Sequence, residues 1–227
     1  MKNALYIIAT PIGNLEDITF RAIRILKEVD MILCEDTRVT AKLLAKYEIK
    51  KSLRRFDAHS SESGREAIVE LLREGKNIAL VTDAGTPGIS DPASLLVEDV
   101  RRELGNEVKV IPVPGASALT TALSASGIPT SDFLFLGFLP HKKGRQTLMK
   151  EIGESERAVV FYESPHRILK ALAELKIVAP ERKITIAREL TKIYEEYISG
   201  TADEITKILT DIPEKQKGEF VVIVSPK

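Results

Sequence analysis

Residues able to do acid–base or anion chemistry crowd one short stretch, Cys34-Glu35-Asp36-Thr37-Arg38. Asp36 or Glu35 could accept a proton there, and Arg38 could hold a phosphate bidentately. The same residues also make an ordinary helix N-cap with a salt bridge, and the two readings stand level. Two further stretches carry Gly and Pro instead of charge: Thr10-Pro11-Ile12-Gly13-Asn14-Leu15, and Asp83-Ala84-Gly85-Thr86-Pro87-Gly88-Ile89-Ser90-Asp91-Pro92. Gly permits positive φ and close backbone approach, whereas Pro locks φ, so such loops can present carbonyls and N–H groups in a rigid cradle. Either loop alone reads as a turn, but two at adjacent strand ends read as a ligand site. A third, Pro114-Gly115-Ala116-Ser117-Ala118-Leu119, turns tightly into a helix and offers backbone donors and the Ser117 hydroxyl. It lacks the second glycine of a nucleophile elbow, so a serine hydrolase built on Ser117 is only a secondary reading.

The elements that must hold these loops are legible as apolar runs. Leu5 to Ala9, Met31 to Cys34, Ile78 to Thr82, Val108 to Val113, Phe133 to Phe138, Ala158 to Tyr162, Ile184 to Ala187 and Phe220 to Val224 read as strands, with Tyr194 to Gly200 an extra extended segment. Helical stripes lie between them, namely Ile18/Ala22/Ile25/Val29, Ile68/Leu71/Leu72 and Ile168/Leu172/Leu175. Asp91-Pro92 and Ser164-Pro165 each place an N-cap oxygen before a proline, and Thr201 with Glu204 forms a capping box. The class is α/β, with a parallel βαβαβαβαβ first lobe, residues 1–113, and a mixed second lobe, residues 114–227. No flexible linker separates the two, which favours a shared cleft over independent domains. In open α/β sheets ligands bind beyond the carboxyl ends of strands, where the loops above fall.

Composition narrows the class further. The 227 residues carry 33 Lys+Arg against 33 Asp+Glu, so no overall field draws the chain to nucleic acid or membrane, and any polyanion site is a local patch. The single cysteine, Cys34, forms no internal disulfide, and neither a signal segment nor an apolar run of spanning length is present, which makes the cytoplasm the expected address. A G-x-G-x-x-G after the first strand, a P-loop and H-E-x-x-H are all missing, and His59, His141 and His166 lie well apart. Nicotinamide, nucleoside-triphosphate and zinc chemistry lose support, and no metal is expected.

Taken in order, Ala9-Thr10-Pro11-Ile12-Gly13-Asn14-Leu15-Glu16-Asp17, Glu35-Asp36-Thr37-Arg38, the Asp83–Pro92 loop, Pro114-Gly115-Ala116-Ser117-Ala118 and Phe161-Tyr162-Glu163-Ser164-Pro165-His166-Arg167 resemble the tetrapyrrole methylase superfamily. They are most similar to its ribosomal RNA small-subunit methyltransferase I branch. The resemblance implies a two-lobed class III methyltransferase fold with S-adenosylmethionine in the cleft between the lobes. It implies 2′-O-methylation of a cytidine ribose in the decoding region of 16S rRNA, and a homodimer. Carried over by position, it assigns cofactor contacts to Pro11, Ile12, Gly85, Thr86, Ile89, Ser117 and Ala118. In the second lobe it assigns them to Tyr162, Glu163, Ala187, Gly218 and Glu219. Family members usually continue into a small helical C-terminal domain, whereas this chain stops at Ser225-Pro226-Lys227, a departure expected to weaken RNA docking before cofactor binding.

A ribose hydroxyl is a poor acid, so methyl transfer to it profits from a positioned carboxylate or an arginine that steadies the developing oxyanion. Asp36, Arg38 and Asp83 are the candidates, with Glu35 and His59 behind them; Asp83 could instead merely hold the cofactor loop. Two basic segments are candidates for RNA backbone, Lys50-Lys51 with Arg54-Arg55, and Lys142-Lys143 with Arg145, although a charge run is more often a solvated face. A tetrapyrrole C-methyltransferase and a non-catalytic RNA-binding module complete the alternatives.

Overall fold

The computed structural model describes residues 3–57, 60–90 and 93–227, and they form two compact units, Met1–Ser117 and Ala118–Lys227. In the first unit, β1 (Ala4–Ile8), β2 (Met31–Cys34), β3 (Ser52–Arg55), β4 (Asn77–Leu80) and β5 (Lys109–Val113) make a sheet of order β3-β2-β4-β1-β5. All its pairings are parallel. The helices α1 (Phe20–Glu28), α2 (Thr37–Lys46), α3 (Glu62–Arg73) and α4 (Ala93–Leu104) cover it.

Alternation along the strands decides which helix goes where. Ala4, Tyr6 and Ile8 face a core shared with Ala22, Ile25, Leu26, Leu43 and Leu44 of α1 and α2. Leu5, Leu33, Ile78 and Leu80 face the opposite core with Ile68, Leu72, Leu96 and Val100 of α3 and α4. Strands buried on both faces are the mark of a parallel sheet covered by crossover helices. Fully burying each Leu or Ile is worth about 1.5–3 kcal/mol, so these two layers are the main reason the strand ends stay put. The edge strand β3 has no apolar run to announce it: Ser52-Leu53-Arg54-Arg55 is at most half-buried and is defined by its ladder to Met31–Cys34.

The second unit opens with the short α5 (Ala118–Ser124) and continues through β6 (Phe133–Phe138), α6 (Arg145–Glu154), β7 (Ala158–Glu163), α7 (Ile168–Val178), β8 (Ile184–Arg188), β9 (Glu196–Gly200), α8 (Ala202–Asp211) and β10 (Phe220–Val224). Its sheet has order β6-β7-β10-β8-β9. Only β6 and β7 pair in parallel; β10 runs antiparallel to β7 and β8, and β9 to β8. Val159, Phe161, Ile186 and Val222 face α6, α7 and α8 through Ile152, Leu172, Leu175, Ile205 and Leu209.

The capping box of Thr201 and Glu204 starts α8. The expected start at Ser164-Pro165 is corrected. Pro165–Arg167 form a turn in which the Arg167 N–H donates to Ser164 O at 3.0 Å, and α7 begins only at Ile168. The Arg167 guanidinium is drawn back onto Glu163 and the Leu139 carbonyl, which keeps this segment out of the helix. Asp91-Pro92 and His59 lie outside the described residues.

Candidate functional site

Three Gly/Pro-rich loops of the first unit are tied to one another beyond the carboxyl ends of β1, β4 and β5. Thr10 and Gly85 exchange two backbone hydrogen bonds, N–H to O at 2.9 and 3.0 Å, and the Thr10 hydroxyl donates to Thr82 O at 3.1 Å. The Thr86 hydroxyl donates to Ala116 O at 3.1 Å, joining the second loop to the third. Gly85 holds φ +85°, and a Cβ there would stand 3.5 Å from Ile12 Cγ2 and 3.9 Å from Ala116 O. At Gly115 a Cβ would press on Ala9 Cβ at 2.9 Å, so that turn can approach β1 only as glycine. Pro11 and Ile12 are buried, Thr86 and Ser117 half-buried, and Ile89 exposed. Ala118 opens α5, which is only seven residues long, so this loop has its backbone and hydroxyl to offer rather than a strong helix dipole.

The charged cluster follows β2. Asp36 caps α2, accepting from the Arg38 N–H at 2.8 Å, and its carboxylate also takes the Arg38 guanidinium at 2.6 Å. Those Arg38 hydrogen bonds hold the Asp36 carboxyl at about 2, below its ordinary 3.8. The Asp36 N–H in turn donates to Asp83 Oδ1 at 3.0 Å. Asp83 therefore joins the end of β4 to the start of α2, while the Arg38 side chain stays 86% exposed and presents its charge outward. Cap and salt bridge are both real, and together they aim the arginine. Cys34 is buried, and burial pushes its thiol up, away from nucleophile chemistry. Among the described residues no group of three or more His, Cys, Asp or Glu is placed to hold a metal ion.

In the second unit, three of the expected contact residues are buried. Arg145 is not an exposed phosphate grip: its side chain is 4% exposed and pairs with Glu163 at 3.4 Å and Glu174 at 2.7 Å. Burying a guanidinium without such partners would be prohibitive, which is why it turns inward. Glu163 has no exposed side-chain surface for a ligand, because Arg145, Arg167 at 2.7 Å and the Ser164 N–H at 2.9 Å surround its carboxylate. Ala187 is fully buried, with its backbone in the ladders to β10 and β9, and offers a ligand no surface.

Tyr162 is half-buried, and burial pushes its phenol up despite the Leu119 backbone beside it. Gly218, at φ +99°, leads into β10 against Glu189, whose side chain occupies the place a Cβ would take. Glu219 is exposed and pairs with Lys192 at 2.8 Å. The buried Arg188, which no sequence motif marks, fixes this loop by donating to Lys217 O and Glu214 O at 2.6 and 3.0 Å.

The remaining basic positions divide by exposure. Lys50, Lys142 and Lys143 are exposed, Lys51 and Arg54 half-buried, and Arg55 exposed but paired with Asp57 at 2.7 Å. Arg54 and Arg55 lie on the edge strand β3, where charge also guards against edge-to-edge pairing.

Residues 4–206 match the family model of the Tetrapyrrole (Corrin/Porphyrin) Methylases, and the chain belongs to that family. Within it, the chain is 48% identical over 225 residues to the ribosomal RNA small subunit methyltransferase I of Thermotoga maritima, covering 98% of each. It is 47% identical to the protein of that name from Halalkalibacterium halodurans, covering 98% of this chain and 76% of the relative. Solved structures share the fold at low identity. A diphthine synthase superposes with TM-score 0.74 at 14% identity, covering 98% of this chain and 90% of that one. Uroporphyrin-III C-methyl transferase from Thermus thermophilus complexed with S-adenyl homocysteine gives 0.64 at 17%, covering 98% and 97%.

Proposed function

We propose that this chain uses S-adenosylmethionine to methylate the ribose 2′-hydroxyl of a cytidine in the decoding region of 16S ribosomal RNA. The observation that carries the reading is the knot of loops at the ends of β1, β4 and β5, with the Asp36–Arg38 pair fastened to the same strand end through Asp83. The relatives named as ribosomal RNA small subunit methyltransferases, 47–48% identical over nearly the whole chain, support the substrate class. The solved tetrapyrrole methylases are below 25% identity and support the fold, so a tetrapyrrole substrate is the weaker reading. The serine-hydrolase reading of Ser117 finds no counterpart in the family match.

The loops fit such a cofactor. Gly85 leaves open the space beside Ile12 and Ala116 O that a side chain would fill, and backbone groups suit its mixture of adenine edges, hydroxyls and amino-acid ends. S-adenosylmethionine supplies an electrophilic methyl group on a sulfonium. The chain's own work is to align the acceptor oxygen, exclude water and receive the hydroxyl proton. Pro11, Ile12, Gly85, Thr86, Ile89, Ser117 and Ala118 are assigned to cofactor binding. A carboxylate held near 2 is a weak base, so Asp36 serves to orient Arg38, which steadies the developing oxyanion. Asp83 receives the proton.

Lys50, Lys51, Arg54, Lys142 and Lys143 contact the RNA backbone. The homodimer and the cytoplasmic address belong to the same reading, and sedimentation of the purified chain tests the first. The decisive experiment is transfer of labelled methyl from S-adenosylmethionine to small subunits from cells lacking the gene, followed by mapping of ribose methylation. Label on a decoding-region cytidine is expected. Label only on a tetrapyrrole acceptor, or none on RNA, overturns the reading.

A further inference from the structure

Strand β6 does not run regularly to its end. Phe135 stands opposite Val160, but two residues further along β7, Tyr162 faces Phe138 instead of Gly137. One residue is inserted, and Gly137 at φ +61° absorbs it. A bulge of this kind re-aims the side chain after it. Here it brings the Phe138 ring onto Tyr162, with centroids 5.3 Å apart at 61°, while Tyr162 meets Phe135 at 5.1 Å and 69°. The cluster is graded in exposure: Phe135 and Tyr162 are half-buried, and Phe138 is 57% exposed.

The backbone beyond Phe138 is held firmly. Leu139 is buried, its carbonyl accepts from Arg167 Nη1 at 2.8 Å, and the Pro140 carbonyl accepts from Arg145 Nη1 at 3.3 Å. Both guanidiniums are anchored on the buried Glu163 carboxylate. The ion network thus fixes the chain on the far side of the ring, and the direction of Phe138 is set before any ligand arrives. Directly beyond lie the exposed His141, Lys142 and Lys143.

We propose that Phe138 is a stacking platform for an unpaired base of the RNA substrate, with Lys142 and Lys143 taking the neighbouring phosphates. The proposal rests on the ribosomal-RNA reading above. A preset aromatic face beside two solvated ammonium groups is the chemistry of single-stranded nucleic acid, whose every nucleotide offers a π-face and a phosphate. A second protein chain is the poorer occupant, since lysines are depleted from protein interface cores.

The test is anisotropy titration of the full chain with a short oligocytidylate and with an abasic strand of equal length and charge. Phe138→Ala is expected to weaken the oligocytidylate about tenfold to a hundredfold and to leave the abasic strand unchanged. Phe138→Tyr should keep wild-type binding, and Lys142→Gln with Lys143→Gln should weaken both strands alike. Because the ring is more than half exposed, Phe138→Ala should stay fully folded at the assay temperature, with only a slightly lower melting temperature for the lost edge contact with Tyr162. Equal loss on both strands, no loss on either, or a changed sedimentation coefficient for Phe138→Ala overturns the platform. Small-subunit methylation, run in parallel, separates the two ideas. Base-dependent binding through Phe138 without any methylation sinks the functional reading alone, whereas methylation with a neutral Phe138→Ala sinks the platform alone.

Discussion

The carboxylate of Asp83 accepts the backbone N–H of Asp36 at 3.0 Å, so a residue of the loop beyond β4 sets the first turn of the helix that follows β2. That contact aims Arg38: its guanidinium is gripped by the Asp36 carboxylate, and Asp36 is itself positioned by Asp83. Charge at this strand end has a definite direction.

Asp83 has a structural job and, in the proposed mechanism, a chemical one, and two variants separate them. Asn at this position retains an oxygen that can accept the Asp36 N–H, whereas Ala does not. Asp83→Ala should lose about 1 kcal/mol in urea unfolding, the ordinary worth of one such hydrogen bond. Asp83→Asn should recover that stability but not activity, with kcat down about a hundredfold or more for loss of the proton acceptor. Full activity in the Asn variant would leave Asp83 as a brace only.

Asp36 predicts a pH dependence with a definite sign. Its folded carboxyl, at about 2, lies below the ordinary 3.8, so its contribution is complete above 3.8 and is lost as pH falls through about 2. The melting-temperature difference between wild type and Asp36→Asn should be flat from neutrality to about pH 5 and close below that. Any acid limb of kcat/KM near neutrality then belongs to another group. Arg38→Ala and Asp36→Ala should both lose methyl transfer while calorimetric affinity for S-adenosylmethionine stays near wild type.

Gly85 and Gly218 hold positive φ for different reasons, and their variants should fail differently. A Cβ at Gly85 meets only ordinary contacts, but a β-branched side chain is strained at φ +85°, so Gly85→Val should cost about 1–3 kcal/mol of stability and also abolish S-adenosylmethionine binding by calorimetry, as Pro11→Asp should. At Gly218 the Cβ would collide with the Glu189 side chain. Gly218→Ala should therefore cost stability directly, about 1–3 kcal/mol, visible as an earlier unfolding midpoint.

Arg145 and its lysine neighbours should separate in one salt titration. Lys142→Gln with Lys143→Gln should lower the slope of log binding against log salt on single-stranded RNA by roughly 0.7 for each phosphate no longer neutralised. Arg145→Ala removes a buried partner of Glu163 and Glu174, and should cost about 3–5 kcal/mol in folding before RNA is added. An Arg145→Ala protein that is as stable as wild type would contradict the buried network.

Local regularities were legible in the residues themselves. Met31–Cys34, Phe133–Phe138 and Phe220–Val224 form strands with the limits their apolar runs suggest, and Thr201 with Glu204 caps α8, because each depends on neighbours a few positions away. The Gly/Pro loops were visible for the same reason: the backbone freedom of Gly and the rigidity of Pro belong to the residue. The five-strand rhythm of the first lobe leaves a place for β3, but no apolar run marks it, because this edge strand is at most half-buried and is made by its ladder to β2. Sequence could not separate Lys142 and Lys143, which stay in water, from Arg145, which does not. All three read as one basic run, and the destination of each charge was decided by whether carboxylates from β7 and α7 were waiting where water is excluded. The aim of Phe138 is of the same kind. An isolated glycine in an apolar run hints at a bulge, but only pairing with Tyr162 and the anchored carbonyls beyond it determine which way the ring faces.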